Sequence, residues 1–200
     1  LYPVAYDQDF TLPAEIKEDT KLELPTEHTK GGIKAGIEWF GFNGVIAEDG
    51  TVTRPAAGKT EVKLTARFTY GAAYANRTFK ITVWSQAAVD AEAGDKLLAL
   101  SNDVDAAKLS TLVPVCGTDT NVLTMVKNKL GCGDIAVSIT KVVRNGAEDE
   151  ASGIAANGDI SYFYADPNQT ADERLQWFGS YTVTFSFVRG DAAVTREVPV

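Results

Sequence analysis

Two stretches of this chain alternate apolar and polar residues in the same order. In the first, Glu61-Val-Lys-Leu-Thr-Ala-Arg-Phe-Thr-Tyr-Gly71 is followed by Arg77-Thr-Phe-Lys-Ile-Thr-Val83. In the second, Tyr181-Thr-Val-Thr-Phe-Ser-Phe-Val-Arg-Gly190 is followed by Arg196-Glu-Val-Pro-Val200. Setting Gly71 on Gly190 superposes Val62, Leu64, Ala66 and Phe68 on Tyr181, Val183, Phe185 and Phe187, and Arg77 on Arg196. A period of two residues predicts strands that bury one face and wet the other. A slip of one residue would turn each apolar set to water, so the pattern also fixes register.

A shorter signal precedes each pair. Gly44-Val-Ile-Ala-Glu-Asp-Gly-Thr-Val-Thr-Arg-Pro55 predicts a hairpin turning at Asp49-Gly50, and Gly153-Ile-Ala-Ala-Asn-Gly-Asp-Ile-Ser-Tyr162 one turning at Asn157-Gly158. Glycine accepts the positive φ that such tight turns need. Two copies of one all-β unit follow, over residues 1–84 and 85–200, the second with a small helical insert.

The remaining segments are less regular. Residues 1–30 read as extended, because Pro3, Pro13 and Pro25 cannot donate ladder bonds. Lys21-Leu-Glu-Leu24 reads as a short strand, and Ile33–Phe42 as a longer one with Ile37 and Trp39 inward and Phe40 and Phe42 on the other phase. Trp84-Ser-Gln86 reads as a linker, with Trp84 packed at the domain junction. Val89, Ala93, Leu97 and Leu100 fall at helical spacing, and Asn102-Asp-Val-Asp105 is expected to end that helix. A second helix is expected where Thr118-Asp-Thr-Asn121 offers an N-cap, Val122, Leu123, Val126 and Leu130 form the apolar face, and Gly131 ends it. A strand is expected over 134–143. The acidic run Glu148-Asp-Glu150 reads as solvated surface, and no metal or other cofactor is expected.

The first unit resembles the atrophied bacterial Ig-like domain family. Leu24-Pro25, Ile37-Glu-Trp39, Val45-Ile46, Asp49-Gly-Thr-Val-Thr-Arg-Pro55, Val62-Lys-Leu-Thr-Ala66 and Thr78-Phe-Lys-Ile-Thr-Val83 carry the resemblance, over roughly 12–84. Phe40-Gly-Phe42 departs from the Ser/Asn-rich segment usual there. The resemblance implies an immunoglobulin-like β-sandwich without catalytic residues, and with the repeat it implies two tandem immunoglobulin-like β-sandwiches. It also implies a bacterial cell-surface or secreted setting, in a carbohydrate-active enzyme or adhesin.

Composition narrows the function. There are 19 basic and 27 acidic side chains, leaving −8 with no basic stripe, which argues against nucleic acid as a partner. No apolar run approaches the roughly 20 residues of a membrane span. The chain reads as a mature fragment of a longer protein, extracellular or at a bacterial surface, whose first partners are other domains of the same polypeptide. Cys116 and Cys132 flank the second helix. A disulfide between them would close a loop of roughly 15 residues and add about 3 kcal/mol.

The second copy is longer between its hairpin and its next strand, around 165–179. That loop brings Tyr164, Asp166, Trp177 and Phe178 together in sequence. Aromatic faces beside polar groups suit polysaccharide or host glycan, so the 164–179 loop is the candidate binding site. The sole histidine, His28, reads as a surface turn residue, and no nucleophile motif accompanies it. The expectation is a non-catalytic accessory or spacer region. A carbohydrate- or host-protein-binding module is the alternative.

Overall fold

The computed structural model describes residues 1–115, 118–144, 147–148 (backbone), 153–160 and 180–200. Within them the chain is mainly β and divides into two units, Leu1–Glu92 and Ala93–Val200.

Unit 1 is built on the hairpin β4 (Lys59–Tyr70) and β5 (Ala73–Trp84), paired antiparallel from Lys59↔Trp84 to Tyr70↔Ala73. Along β4 the even positions Val62, Leu64, Ala66 and Phe68 are buried, so the alternation resolves inward and outward faces as its period requires. Strand β3 (Ile33–Phe40) joins β4 with Ile37↔Phe68 and Trp39↔Ala66 in register, and β2 (Glu27–Lys30) flanks β3. The two-residue β1 (Glu15–Ile16) runs parallel to β5, giving the sheet order β1-β5-β4-β3-β2.

One face of this sheet carries the core, in two clusters. At one end Val62, Leu64, Ile81 and Val83 meet Leu22, Ile46 and Val52. At the other, Phe68, Ala66 and Ile37 meet Phe10 and Val4. The cover over the first cluster is a layer of single bridges, Lys21↔Thr51 and Ile46↔Val52, rather than a second regular sheet. Here the structure departs from the strands expected on either side of Asp49-Gly50. Over the second cluster lies α1 (Tyr2–Ala5), where an extended chain was expected. Pro3 stands in its first turn, where proline suits a helix because that N–H has no partner anyway.

Unit 2 repeats the plan. Strands β8 (Tyr181–Arg189) and β9 (Ala192–Pro199) form its hairpin, β6 (Ala136–Arg144) flanks β8, and the two-residue β7 (Ala147–Glu148) flanks β6. Val137↔Phe187 and Ile139↔Phe185 stand where unit 1 has Ile37↔Phe68 and Trp39↔Ala66. The turn hydrogen bonds match one for one. Ala47 N and Gly50 N donate to Thr51 O and Ala47 O, as Ala155 N and Gly158 N donate to Asp159 O and Ala155 O. Leu22 N donates to Gly50 O at 2.8 Å, and Val122 N to Gly158 O at 2.8 Å.

This registration corrects one expectation. Leu22 and Val122 are 100 residues apart, and so are Ile37 and Val137, so nothing is inserted between these points. The helix α3 (Val122–Leu130) therefore replaces β2 rather than adding to it. Sequence chemistry accounts for the exchange. In unit 2, Asn121 Oδ1 accepts from Thr124 N at 3.0 Å, Gly131 closes the helix at φ +65°, and Val122, Val126 and Leu130 make a buried stripe. In unit 1 the same span holds Pro25, which a helix interior excludes, together with β-branched Thr26 and Thr29.

Helix α2 spans Gln86–Ala106 and runs through Asn102-Asp-Val-Asp105 instead of ending there. Leu100 and Val104 are buried in unit 2's core, and two arginines of the sheet hold the acidic positions. Arg189 Nη1 lies 2.7 Å from Asp103 Oδ2, and Arg196 Nε donates to Asp105 Oδ1 at 3.0 Å. Tertiary pairing outweighs the weak helix propensity of Asn and Asp.

Candidate functional site

Three arrangements in the described residues bear on function, beginning with an Asp–His pair. Asp7 is 4 % exposed at its side chain; His28 Nε2 lies 2.8 Å from its Oδ2 and Lys30 Nζ 2.9 Å from its Oδ1. Arg77 Nη1 donates to the Asp7 carbonyl at 2.7 Å. His28 is thus half-buried in β2, not a free surface turn residue. Such a pair is half of the machinery that activates a nucleophile. Among the described residues, however, no hydroxyl or thiol bonds the other His28 nitrogen, and the Phe10 ring lies 5.0 Å from the imidazole centre. The group acts as a clamp between the α1 segment and β2.

Lys30 and then His28 hold the Asp7 carboxyl down to about 2, below its ordinary 3.8. A depressed folded-state pKa stabilises above the unfolded value and is lost as pH falls through the folded one. The clamp should therefore be intact above about pH 4 and lost between about pH 4 and 2. Asp7→Asn is expected to lower Tm at pH 7, with the gap to the parent closing as pH is taken from 4 to 2. A gap constant with pH would refute the charge pairing.

The second arrangement holds the start of α2. Arg54, in the Gly50-Thr-Val-Thr-Arg-Pro55 run, donates from Nε to Trp84 O and from Nη1 to Gln86 Oε1, both at 2.8 Å. Ser85 N donates to Gly58 O, and Ser85 Oγ caps α2 by accepting from Ala88 N at 3.0 Å. Lys17 bonds Glu92 at 2.6 Å. Trp84, only 4 % exposed, lies beneath Lys59 and Lys17, whose ammonium groups are 3.3 and 4.0 Å from its ring centre. Both of these cations belong to unit 1. The most specific run of the sequence thus fastens the first turns of α2 to unit 1.

The third arrangement is an open groove of about 650 Å³ along the end of β3. Trp39, Phe40 and Phe42 supply rings, and Thr26, Glu38 and Glu48 supply polar groups. Trp39 Nε1 donates to Pro25 O at 2.9 Å, which fixes the half-buried indole, and its ring lies 5.9 Å from that of Phe79. Phe40 is 41 % exposed. Alternation along the strand separates Trp39 from Phe40 by face, and no sequence signal brings them to one groove.

In unit 2, the predicted binding residues Tyr164, Asp166, Trp177 and Phe178 lie outside the described residues, as does Cys116. Cys132 is half-buried against the unit 2 core. Among the described residues, no group of three or more His, Cys, Asp or Glu is placed to hold a metal ion, and no helix is long and apolar enough to cross a membrane.

Residues 14–86 match the family model of the atrophied bacterial Ig domain. That family is typically non-catalytic and points to a bacterial accessory domain. No curated protein and no solved structure matches the chain.

Proposed function

We propose, because residues 14–86 belong to the atrophied bacterial Ig domain family, that the chain is a tandem pair of Ig-like sandwiches acting as a non-catalytic accessory region. Its parent is a larger bacterial cell-surface or secreted protein, a carbohydrate-active enzyme or an adhesin, in which it spaces or orients the other domains. The observation that supports this reading is the doubled scaffold. Among the described residues the two units share a turn glycine, apolar core residues and an arginine that holds the N-terminal helix segment: Arg77 to Asp7 O, and Arg196 to Asp105. None of these is a reactive group. Among the described residues, the Asp7–His28–Lys30 group and the Arg189–Asp103 and Arg196–Asp105 pairs hold separate segments together.

Two experiments test it. Incubation with a panel of chromogenic glycosides and peptide substrates should give no turnover; hydrolysis with a carboxylate-dependent pH profile would overturn the reading. Deletion of this region from its parent should change the parent's activity or stability, and an unchanged parent would count against an accessory role. A second reading, binding to polysaccharide or host glycan, is favoured by the exposed aromatic groove of unit 1.

A further inference from the structure

We infer that the groove at the end of β3 is a binding site for a neutral or amino-substituted sugar chain. This deepens the binding reading and stands apart from the accessory one, since an accessory region either carries such a site or does not.

The doubled scaffold supplies an internal control. Opposite Ala66, unit 1 places Trp39; opposite the equivalent Phe185, unit 2 places Ile139. Phe40 is followed by Gly41, whereas Ile139 is followed by Thr140 and Lys141 in a strand that continues to Arg144. Trp39 packs on Phe10 and Phe79 opposite the small Ala66, and unit 2 supplies that bulk from Phe185 instead, so only the aromatic residue at the position of Phe40 is one the fold forms without. A phenylalanine left 41 % exposed at the end of β3 is not something the scaffold demands.

Gly41 is what builds the groove. Its φ is +95°, and a Cβ there would fall 2.2 Å from the Lys63 carbonyl oxygen. Only glycine lets the chain leave β3 pressed against the β4 backbone. Strand β3 ends at this point, and Phe42 and Glu48 line the same groove as Trp39 and Phe40. In unit 2 the ladder bulges at Thr140, the position equivalent to Phe40, and then resumes with Lys141 opposite Thr184, so the strand continues where β3 ends.

The lining chemistry selects the ligand. Flat apolar rings stack on the C–H faces of pyranose rings, while carboxylate and hydroxyl groups at the rim bond their hydroxyls. Glu38 and Glu48 face this groove with no lysine or arginine in its lining, and the chain carries −8. Uronic and sialic acids are repelled by such a rim, and an amino sugar is attracted.

The test is titration of the whole chain with cellopentaose, mannopentaose, N-acetylated chitopentaose and its deacetylated amine form, followed by tryptophan emission and calorimetry. Trigalacturonic acid is the anionic arm and a lysine-containing extended peptide the protein arm. Saturable binding of at least one neutral or amino oligosaccharide is expected, with no binding of trigalacturonate. Phe40→Ala should weaken it by about tenfold or more at unchanged Tm, and Trp39→Phe should remove the emission change. Glu48→Gln should weaken the amine form more than the neutral ones. The inference is overturned by no saturation up to about 10 mM of any neutral or amino oligosaccharide. Binding that Phe40→Ala leaves intact, or binding of the peptide or trigalacturonate alone, would also overturn it.

Discussion

Gly50→Ala should cost unit 1 about 3 kcal/mol or more, whereas Gly71→Ala, in the same unit, should cost only about 1 kcal/mol. Both glycines have positive φ, +84° and +59°, so both substitutions meet the left-handed penalty of an L residue. They differ in surroundings. A Cβ on Gly71 meets nothing within 4 Å, while one on Gly50 would lie 2.1 Å from the Leu22 carbonyl oxygen. To clear it, the turn must draw away from Leu22, opening the Leu22 N–Gly50 O bond at 2.8 Å and the Val52 N–Thr20 O bond at 3.2 Å. Each buried group so orphaned costs roughly 1–3 kcal/mol. Ile46 and Val52 would lose their seat over Leu64 and Ile81 as well. Urea denaturation of the two variants checks this, and equal losses would show that the close approach of turn and strand does not exist in solution.

Phe68→Ala and Phe187→Ala should each cost about 3–5 kcal/mol, and by similar amounts. The two rings occupy one position of the repeated scaffold, opposite Ile37 and Val137, and both are fully buried. Phe68 meets Phe10 edge-on with ring centres 5.2 Å apart, and Phe187 lies 6.3 Å from Phe185. Truncation leaves a cavity that neighbouring strands, held by ladders on both sides, cannot collapse. Chemical denaturation with Phe40→Ala as the exposed control, expected below about 1 kcal/mol, reads the effect. A loss at Phe187 as small as that at Phe40 would mean that unit 2 does not share unit 1's core.

How much of this was written in the sequence varies with how local its cause is. Both long hairpins were legible, because alternation over eight or more residues and a glycine at each turn leave one register. Helix α3 was legible for the same reason: Asn121, Gly131 and the spacing of Val122, Val126 and Leu130 are local signals. Helix α1 was not, since Pro3 reads as a strand breaker until one sees that it stands in a first turn. The course of α2 through Asn102–Asp105 was hidden because Arg189 and Arg196, which stabilise it, come 86 and 91 residues after their partners in the chain. That α3 replaces β2 became visible only from strand register, which fixes equivalent positions on both sides of it.

The candidate sites divide in the same way. Phe40 and Phe42 stand out in the sequence as aromatic residues out of phase with the core, yet their meeting with Trp39 depends on Gly41 crossing the Lys63 carbonyl. The role of Arg54 was hidden in a motif that carried only family resemblance. His28 was misread because its partner Asp7 lies 21 residues away. The loop bearing Tyr164, Asp166, Trp177 and Phe178 remains a sequence-based candidate outside the described residues.

One hydrogen-bonded scaffold is built twice, and backbone amide exchange followed by NMR reads both copies bond by bond. Exchange reports the opening of individual hydrogen bonds, and amides bonded in the core of a unit are the most protected. The account predicts protection in pairs: Leu22 with Val122, Val52 with Ile160, and Ala47 with Ala155, each donating to the equivalent carbonyl in its own unit. Unprotected amides at Val122, Ile160 and Ala155, beside protected partners in unit 1, would show that the scaffold is built once, in unit 1.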